Sequence, residues 1–478
     1  MNDVVIIGNG VLGLSTAYAL SKENPSVRIC VIGPDTTLGC ASLASGAMLN
    51  AFAELTSKTL ESKEGKVKFE MALKASKMWP KWLAEINNEL DANHRLQIIQ
   101  GTHVILNSQS GRLDTNNYLA IIQALNDYKE PYETNEDPCS IPGMSPHNTF
   151  RPLHGIYIPN EGTLDSNAHI QALKTILSKK KNVELRNDTV VKIDVKSHKV
   201  SGIELASGAV LHPGQVVLAN GTKAQELIDP IKELASKMPR LLYGVGYSAT
   251  LSQQADNPVQ QVIRTPNRAG ACGLHVLPRG GKLYVGATNM VYNAPEVKLR
   301  AGLSMFLLEC AITQINGSLY GSHIEDWIMG YRPATLDTFP LIGKTSIEGL
   351  WILSGTYRDG FHQSPLLATH MAHLLLGKQG LFDQHLFAPE RKLISTMTKE
   401  EAIAEFVEHF VACMAEHGEN TPVFMRSKSF KEILEIQFFE NLYNQLGTNV
   451  GFAPDILFMF ALDENSKELI SSFKKYFL

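Results

Sequence analysis

The chain has 478 residues, of which 44% are hydrophobic and 19% are charged, and its formal net charge is −4 at pH 7. This composition excludes a disordered or collagen-like chain, and the length allows two or three domains. The 44 basic and 48 acidic residues nearly balance, which argues against nucleic acid as the main partner because such a partner needs a basic face.

The cysteines and the apolar segments predict a cytoplasmic protein with reduced thiols. The six cysteines form no CxxC pair, so we expect neither a disulfide framework nor a metal site. No apolar run reaches the ~18 residues that a membrane span needs. The start Met1-Asn2-Asp3 lacks the positive stretch of a signal peptide.

The N-terminal segment predicts a strand, a glycine turn, a helix and a second strand. Residues 4–7 form an apolar run typical of a buried parallel strand, and residues 14–20 are helical in composition. Between them lies GNGVLG, whose glycines allow a tight turn and a close approach of the backbone to a pyrophosphate. Residues 27–32 complete a βαβ unit that is expected to bind a dinucleotide at the helix N-terminus.

The acid that usually holds the adenosine ribose is absent from the end of the second strand. Gly33-Pro34 stands there, and Asp35 follows two positions late. Either Asp35 or the backbone and water must therefore contact the ribose. Because no arginine replaces the acid, the change does not favour NADP.

Three later segments favour FAD over NAD. Residues 40–49 form a loop of small side chains that suits close contact with a flat ring system, although a buried helix start has the same composition. Residues 183–195 and 200–205 predict two strands, and residues 215–221 predict a buried strand that ends in a glycine. Residues 330–365 contain GYRPATLD, a strand and GTYRDGFHQSP, and a helix follows.

In this order, GNGVLG, ASLASGAML, VSGIEL…VVLANG and GYRPATLD…GTYRDGFHQSP resemble the D-amino-acid oxidase family of FAD-dependent oxidoreductases, with members such as glycine oxidase and sarcosine oxidase. The resemblance implies a mixed α/β and α+β fold. A Rossmann-like FAD-binding domain (residues 1–96, 150–228 and 328–390) would be interrupted by an antiparallel-sheet substrate domain (97–149 and 229–327). Residues 391–478 would form a helical C-terminal extension.

The resemblance also implies where FAD would lie, held noncovalently because the attachment motifs of the covalent relatives are absent. The pyrophosphate would lie at the N-terminal glycines, the adenine near Val190 or Val191, and the ring along residues 42–48. The expected cofactor contacts are Gly8, Gly10, Val11, Leu12, Gly13, Gly33, Pro34, Asp35, Ala41, Ser42, Ser45, Gly46, Ala47, Met48, Val190, Val191, Ala219, Asn220, Gly221, Gly330, Arg332, Gly355, Tyr357, Arg358, Asp359, Gly360, Phe361 and His362.

Members of this family transfer a hydride from the carbon beside an amine to the flavin, and the imine that forms is hydrolysed. The cofactor supplies the redox chemistry, so no acid–base residue is required if the amine arrives neutral. The resemblance therefore implies a small amine or amino acid as substrate, and oxygen, a quinone or another acceptor for the electrons.

Arg332 and Arg358 are the first candidates for the substrate site. By the resemblance, Arg332 would bind a substrate carboxylate through two parallel hydrogen bonds; alternatively, it would pair with Asp337 and brace its loop. Arg358 would contact the flavin or the substrate, or form a structural salt bridge.

Thr356, Asp359 and His362 depart from the family pattern, which has His, Asn and Ile or Leu at these places. The departures suggest an unusual substrate or a tuned flavin, or else His362 is a satisfied polar core residue. Tyr243, Tyr247 and His275 are further pocket candidates on expected strands of the substrate domain, with core or surface roles as the alternative.

The C-terminal extension is predicted to be folded. Residues 398–401 form a capping box, and apolar residues at helical spacing follow as far as Gly418. Residues 429–446, 455–462 and 466–478 predict further helices. Their apolar faces must pack on each other and on the rest of the chain, or else form a surface for another copy or a partner. The acidic and imidazole side chains of the first helix are expected on a solvated face rather than around a metal: Glu408, His409, Glu416 and His417.

Two other functions remain open at this point. One is an FAD-dependent 2-hydroxy-acid or polyol-phosphate dehydrogenase on a similar fold. The other is a flavin-containing protein that acts in binding or assembly through its helical C-terminus.

Overall fold

The computed structural model describes residues 2–35, 38–253, 256–383, 385–416, 439–462 and 466–474. The strands in these ranges are β1 (Val4–Ile7), β2 (Ile29–Ile32), β3 (Ile99–Asn107), β4 (Glu133–Asn135), β5 (Pro152–Thr163), β6 (Val183–Arg186), β7 (Val190–Lys196), β8 (Lys199–Leu205), β9 (Val210–Leu211), β10 (Gln215–Leu218), β11 (Leu241–Ser252), β12 (Val262–Arg264), β13 (Ala271–Arg279), β14 (Lys282–Thr288), β15 (Met290–Tyr292), β16 (Ile324–Thr335), β17 (Leu341–Lys344) and β18 (Leu350–Ser354). The helices are α1 (Val11–Glu23), α2 (Ala41–Ala44), α3 (Lys63–Asn88), α4 (Arg112–Asp127), α5 (Ser166–Ser178), α6 (Ala224–Ile228), α7 (Lys232–Ala235), α8 (Ala301–Gln314), α9 (Ser364–Leu375), α10 (Lys399–Glu416), α11 (Glu440–Leu446), α12 (Pro454–Leu462) and α13 (Ser466–Phe473).

The first sheet has the strand order β17-β18-β10-β1-β2-β6. Its pairs are parallel except for β17 with β18. Alternate side chains of β1 enter different cores: Val4 and Ile6 pack with α1 and α9, whereas Val5 and Ile7 pack with the β7-β8-β9 sheet and α6. Both faces of the strand are therefore covered, as the continuous apolar run predicts.

The glycine turn has the geometry that the motif predicts. The helix α1 begins at Val11, directly after the N-cap residue Gly10. A Cβ atom on Gly13 would overlap the carbonyl oxygen of Gly8, so only glycine lets α1 approach the end of β1 this closely.

The prediction of one strand over residues 183–195 is wrong. β6 pairs with β2 in the first sheet, whereas β7 begins the separate sheet β7-β8-β9. The strand is interrupted because the Asp188 carboxylate accepts hydrogen bonds from its neighbour Thr189 N–H at 2.8 Å and from Ser207 Oγ at 2.6 Å. This local bonding competes with the strand ladder.

The second sheet has the order β15-β11-β14-β13-β12-β3-β5-β4, and β16 pairs with β11 along the whole of its length. Its pairs are antiparallel, as predicted, except that β12 runs parallel to β3. The strand β5 and most of β16 pair in this sheet, although they fall inside the ranges predicted for the FAD-binding domain. The domain boundaries themselves stay a prediction.

The C-terminal extension packs on its own helices and on the rest of the chain. Its capping box is confirmed, because Thr398 N–H donates to Glu401 at 2.8 Å and Glu401 N–H donates to Thr398 Oγ1 at 3.2 Å. Residues 429–438 of the second predicted helix lie outside the described residues, and α11 begins at Glu440. Contact between copies through these helices stays a prediction.

The prediction of a solvated face on α10 is wrong for two side chains. His409 is 4% exposed, and its Nδ1 accepts the N–H of Ala269 at 2.8 Å. Glu416 forms a buried ion pair with Arg268. Both side chains instead fasten α10 to the body of the protein.

Of the remaining two predicted positions, Glu408 pairs with Arg112, whose side chain is largely exposed, and His417 lies outside the described residues. The described part of the chain holds no cluster of three or more His, Cys, Asp or Glu residues placed to bind a metal. Among the described helices, none is long and apolar enough to cross a membrane.

Candidate functional site

A cavity lies between the first and second sheets and contains about 1700 Å³ of empty space, part of it open to solvent. Most of the sequence-predicted site residues line it. They are Gly8, Gly10, Val11, Leu12, Pro34, Ala41, Ser42, Ser45, Gly46, Ala47, Met48, Ala219, Asn220, Gly221, His275, Gly330, Arg332, Tyr357, Arg358, Asp359, Gly360, Phe361 and His362.

Other predicted contacts lie away from the cavity wall. Asp35 has a side chain that is 66% exposed, and its carboxylate lies 3.6 Å from the Lys174 ammonium. Val190 is buried in the core beside the first sheet, and Val191 is exposed. The remaining predicted residues outside the wall are Gly13, Gly33 and Gly355.

Tyr243 and Tyr247 also lie outside the cavity wall, for a reason that follows from strand geometry. Side chains alternate between the two faces of β11, so Gly246 and Ser248 face the cavity. The two tyrosines pack on the opposite face with Met329 and Tyr331. The sequence of a strand shows that its side chains alternate between two faces, but it does not show which face a ligand occupies.

The N-terminal end of α1 is suited to a diphosphate group. Val11 N–H donates to Ser42 Oγ at 3.0 Å, which brings the small-residue loop against the first turn of the helix. The N-cap residue Gly10 has no side chain to bond the free N–H groups there. Nearby, the buried Oδ1 of Asn220 has no hydrogen-bond partner in the described part of the chain. These features fit the polar half of FAD.

Side chains of the second sheet donate hydrogen bonds to the backbone carbonyls at the end of α2 and in the loop that follows it. Tyr284 donates its hydroxyl to Ala44 O at 2.9 Å, and Arg279 donates to Ser45 O. Thr163 Oγ1 donates to Gly46 O at 2.7 Å. These bonds fix the backbone of the loop. Its small side chains then form part of the cavity wall, which fits the flat ring system of the flavin.

Arg332 extends from β16 across β11 into the cavity. Its Nη1 donates to Thr288 O and to Asn289 Oδ1, both at 3.1 Å. A Cβ atom on Gly246 would overlap the guanidinium, so glycine is required where the side chain crosses. The alternative that Arg332 pairs with Asp337 is wrong, because Asp337 is paired with Arg391.

The loop that follows β18 presents a second arginine. Arg358 lies over the Tyr357 ring at 5.2 Å, and its Nη2 is 3.5 Å from Asp455 Oδ2. It therefore both lines the cavity and forms an ion pair. Asp359 forms an ion pair with Lys68 of α3 at 2.9 Å, which anchors the loop.

Two buried histidines line the cavity as neutral groups. Burial lowers the pKa of His362 to about 4 and that of His275 to about 3. His362 Nε2 lies 2.9 Å from Ser76 Oγ, and its backbone carbonyl accepts a hydrogen bond from Trp79 at 2.7 Å. His362 is thus both a satisfied core residue and part of the wall, and neither histidine adds positive charge near neutral pH.

Glu54 is a cavity residue that the sequence reasoning missed. Burial alone would raise its pKa, but the ion pair with buried Arg264 outweighs this and holds the pKa at about 2. Asn267 adds a hydrogen bond to Oε2 at 2.7 Å. An isolated acid directly after the apolar run Ala51-Phe52-Ala53 is a pattern that could have indicated a functional carboxylate.

Comparisons with known proteins agree on one family. The sequence profile of the FAD dependent oxidoreductase (DAO) family matches residues 3–374. The bifunctional protein ThiO/ThiG of Synechocystis sp. is 23% identical over 464 residues, covering 96% of this chain and 64% of that protein. Glycine oxidase of Geobacillus kaustophilus is 24% identical over 396 residues, covering 82% of this chain and 97% of the enzyme.

The fold is shared with solved structures. The crystal structure of glycine oxidase from Geobacillus kaustophilus superposes with a TM-score of 0.69 at 21% identity, covering 82% of this chain and 99% of that one. The chain spans only about half to two thirds of the length of the bifunctional relatives it matches.

Proposed function

Since the chain belongs to the family of FAD-dependent oxidoreductases, we propose that it oxidises the carbon–nitrogen bond of a small amino acid or a related amine. The observation that carries the proposal is Arg332, a cavity-lining arginine whose Nη1 is fixed by two hydrogen bonds. A guanidinium oriented in this way suits a substrate carboxylate.

Bound FAD would supply the acceptor for a hydride from the carbon beside the amine. The chain's own residues bind and orient the substrate. Arg332 holds the carboxylate, and the fixed loop of residues 44–47 forms one wall of the site. His275 and His362 are neutral, so they do not compete with Arg332 for the carboxylate.

No carboxylate or imidazole at the site is required to remove a proton if the amine arrives neutral. The imine product is hydrolysed to a carbonyl compound and an amine or ammonia. The names of relatives such as glycine oxidase and iminodiacetate oxidase support an amino-acid or amine substrate. Noncovalent FAD, and oxygen, a quinone or another compound as electron acceptor, complete the proposal.

The proposal is tested by anaerobic reduction of the purified flavoprotein. A panel of glycine, N-substituted glycines, D-amino acids and simple amines should bleach the flavin absorbance, with rates that saturate for the carboxylated compounds. A matched panel of 2-hydroxy acids and polyol phosphates should not. Bleaching by the second panel alone would overturn the proposal in favour of a hydroxy-compound dehydrogenase.

Admission of air then identifies the acceptor. Rapid return of the flavin colour is the result expected of an oxidase. Slow return in air with rapid return on addition of a quinone is the result expected of a dehydrogenase. Absence of bleaching by both substrate panels would contradict the proposal and support a binding or assembly role.

A further inference from the structure

We infer that the C-terminal extension forms part of the substrate site, and that Asp455 from this extension limits the site to substrates with a single carboxylate. The inference rests on the proposed function for the identity of the substrate. One carboxylate of the extension contacts the network that holds both cavity arginines.

The extension is fastened to the wall of the site by an apolar cluster. Three phenylalanines of the extension pack together: the ring centroid of Phe406 lies 4.4 Å from the ring centroids of both Phe439 and Phe458. The same cluster contains Tyr357, the residue before Arg358, and Val291 of β15. The helix α12 packs against β15, which places its first turn beside the arginines.

Asp455 lies in that first turn and contacts Arg358 directly. The Asp455 Oδ2 and Arg358 Nη2 atoms are 3.5 Å apart, and the two side chains are 13% and 17% exposed. At this degree of burial the charges are poorly screened by solvent, so the carboxylate offsets much of the positive charge that Arg358 brings to the cavity.

Asp455 also orients Arg332, through Asn289. Asn289 Nδ2 donates to Asp455 Oδ1 at 3.0 Å, and Asn289 Oδ1 accepts from Arg332 Nη1 at 3.1 Å. An ionised carboxylate only accepts hydrogen bonds, so it fixes which end of the Asn289 amide faces it. The amide oxygen is then turned toward Arg332. Asp455 is therefore a positioning residue.

In the described part of the chain, two cations that line the cavity have no carboxylate within ion-pair distance, Arg332 and Lys223. Lys223 follows Asn220 and Gly221 near the diphosphate end, so Arg332 is the unpaired cation beside Asn289. Arg358 is paired with Asp455, Arg264 with Glu54, and Lys68 with Asp359. One uncompensated guanidinium matches one substrate carboxylate, and a second carboxylate would meet an arginine that is already neutralised.

The test measures the binding of unreactive carboxylates to the full-length holoenzyme by calorimetry. Acetate is the one-carboxylate probe and malonate the two-carboxylate probe, both at a pH where they are fully ionised. The wild-type protein should prefer acetate. Asp455→Asn should lower the ratio of the malonate Kd to the acetate Kd at least tenfold, whereas Asp455→Glu, which keeps the charge, should retain the wild-type preference.

The matched control is Glu408→Gln, which removes a carboxylate of the same extension that pairs with Arg112 outside the cavity. It should leave the ratio within twofold of wild type. A merely structural role for Asp455 would weaken both probes equally, and an unchanged ratio in folded, flavin-loaded Asp455→Asn protein would overturn the inference. Failure of wild-type protein to bind acetate would overturn it too.

The probes are not oxidised, so this result is independent of turnover. An altered ratio combined with no flavin reduction by any amine would support the inference about Asp455 and refute the proposed reaction. Flavin reduction with an unaltered ratio would do the reverse.

Discussion

The two ends of the cavity are built in different ways. The diphosphate end is built around contiguous chain, because β1, the glycine turn and α1 follow one another and their spacing determines their geometry. Ser42 and Asn220 join it from other segments. The carboxylate end brings together β16, the segment between β14 and β15, the loop after β18 and the C-terminal extension. A short motif therefore encodes the cofactor end, whereas long-range packing assembles the substrate end.

The largest effect should come from the contiguous end. Gly13→Val places a side chain where even a Cβ atom would overlap Gly8 O, so α1 must move away from β1. We expect nearly complete loss of bound FAD, measured as flavin absorbance per protein in the purified sample. Gly302→Ala is the control, since nothing lies within 4 Å of a Cβ atom there. Full flavin content in Gly13→Val would contradict the account of this turn.

The packing of the extension is tested by Phe458→Ala, which empties a buried position in contact with Phe406. We expect the free energy of unfolding to fall by about 3 kcal/mol, and the Kd for acetate to rise severalfold because α12 carries Asp455. Tyr320→Ala, at a residue 86% exposed, should change neither quantity. Weaker stability with unchanged acetate affinity would show that the extension is independent of the site.

A smaller effect is expected from acid. Burial lowers the pKa of His362 to about 4 from an ordinary value of 6.5. Between these two pH values, this imidazole is therefore protonated in the unfolded chain and neutral in the folded protein. Its contribution to stability is therefore complete above pH 6.5 and is lost as the pH falls toward 4.

Denaturation curves at several pH values measure this effect. His362→Gln should reduce the loss of stability between neutral and moderately acid pH by about 1–2 kcal/mol, since one pKa unit corresponds to about 1.4 kcal/mol. His94→Gln removes an exposed imidazole and should keep the wild-type slope. Equal slopes in all three proteins would contradict a buried neutral His362.

The same contrast explains what the sequence could predict. Residues 4–32 predict their own structure because strand, turn and helix are set by local periodicity and by glycines with defined roles. The cavity faces of β11 were not predictable, since alternation identifies two faces without saying which one meets the ligand. The local sequence around Asp455 indicates an acidic residue in the first turn of a helix and nothing more. Its contacts with Asn289 and Arg358 arise only when distant segments pack together.

We propose that Arg332 recognises the carboxylate of an amine substrate. Stopped-flow measurement of anaerobic flavin reduction by N-methylglycine and by dimethylamine, which lacks the carboxylate, tests it in the wild-type protein and in Arg332→Ala. We expect the variant to lose about 10²–10³-fold in reduction rate at low N-methylglycine, as for a charge-assisted bidentate contact. The slow rate with dimethylamine should be unchanged. An equal loss with both compounds, or no loss with either, would contradict the proposal.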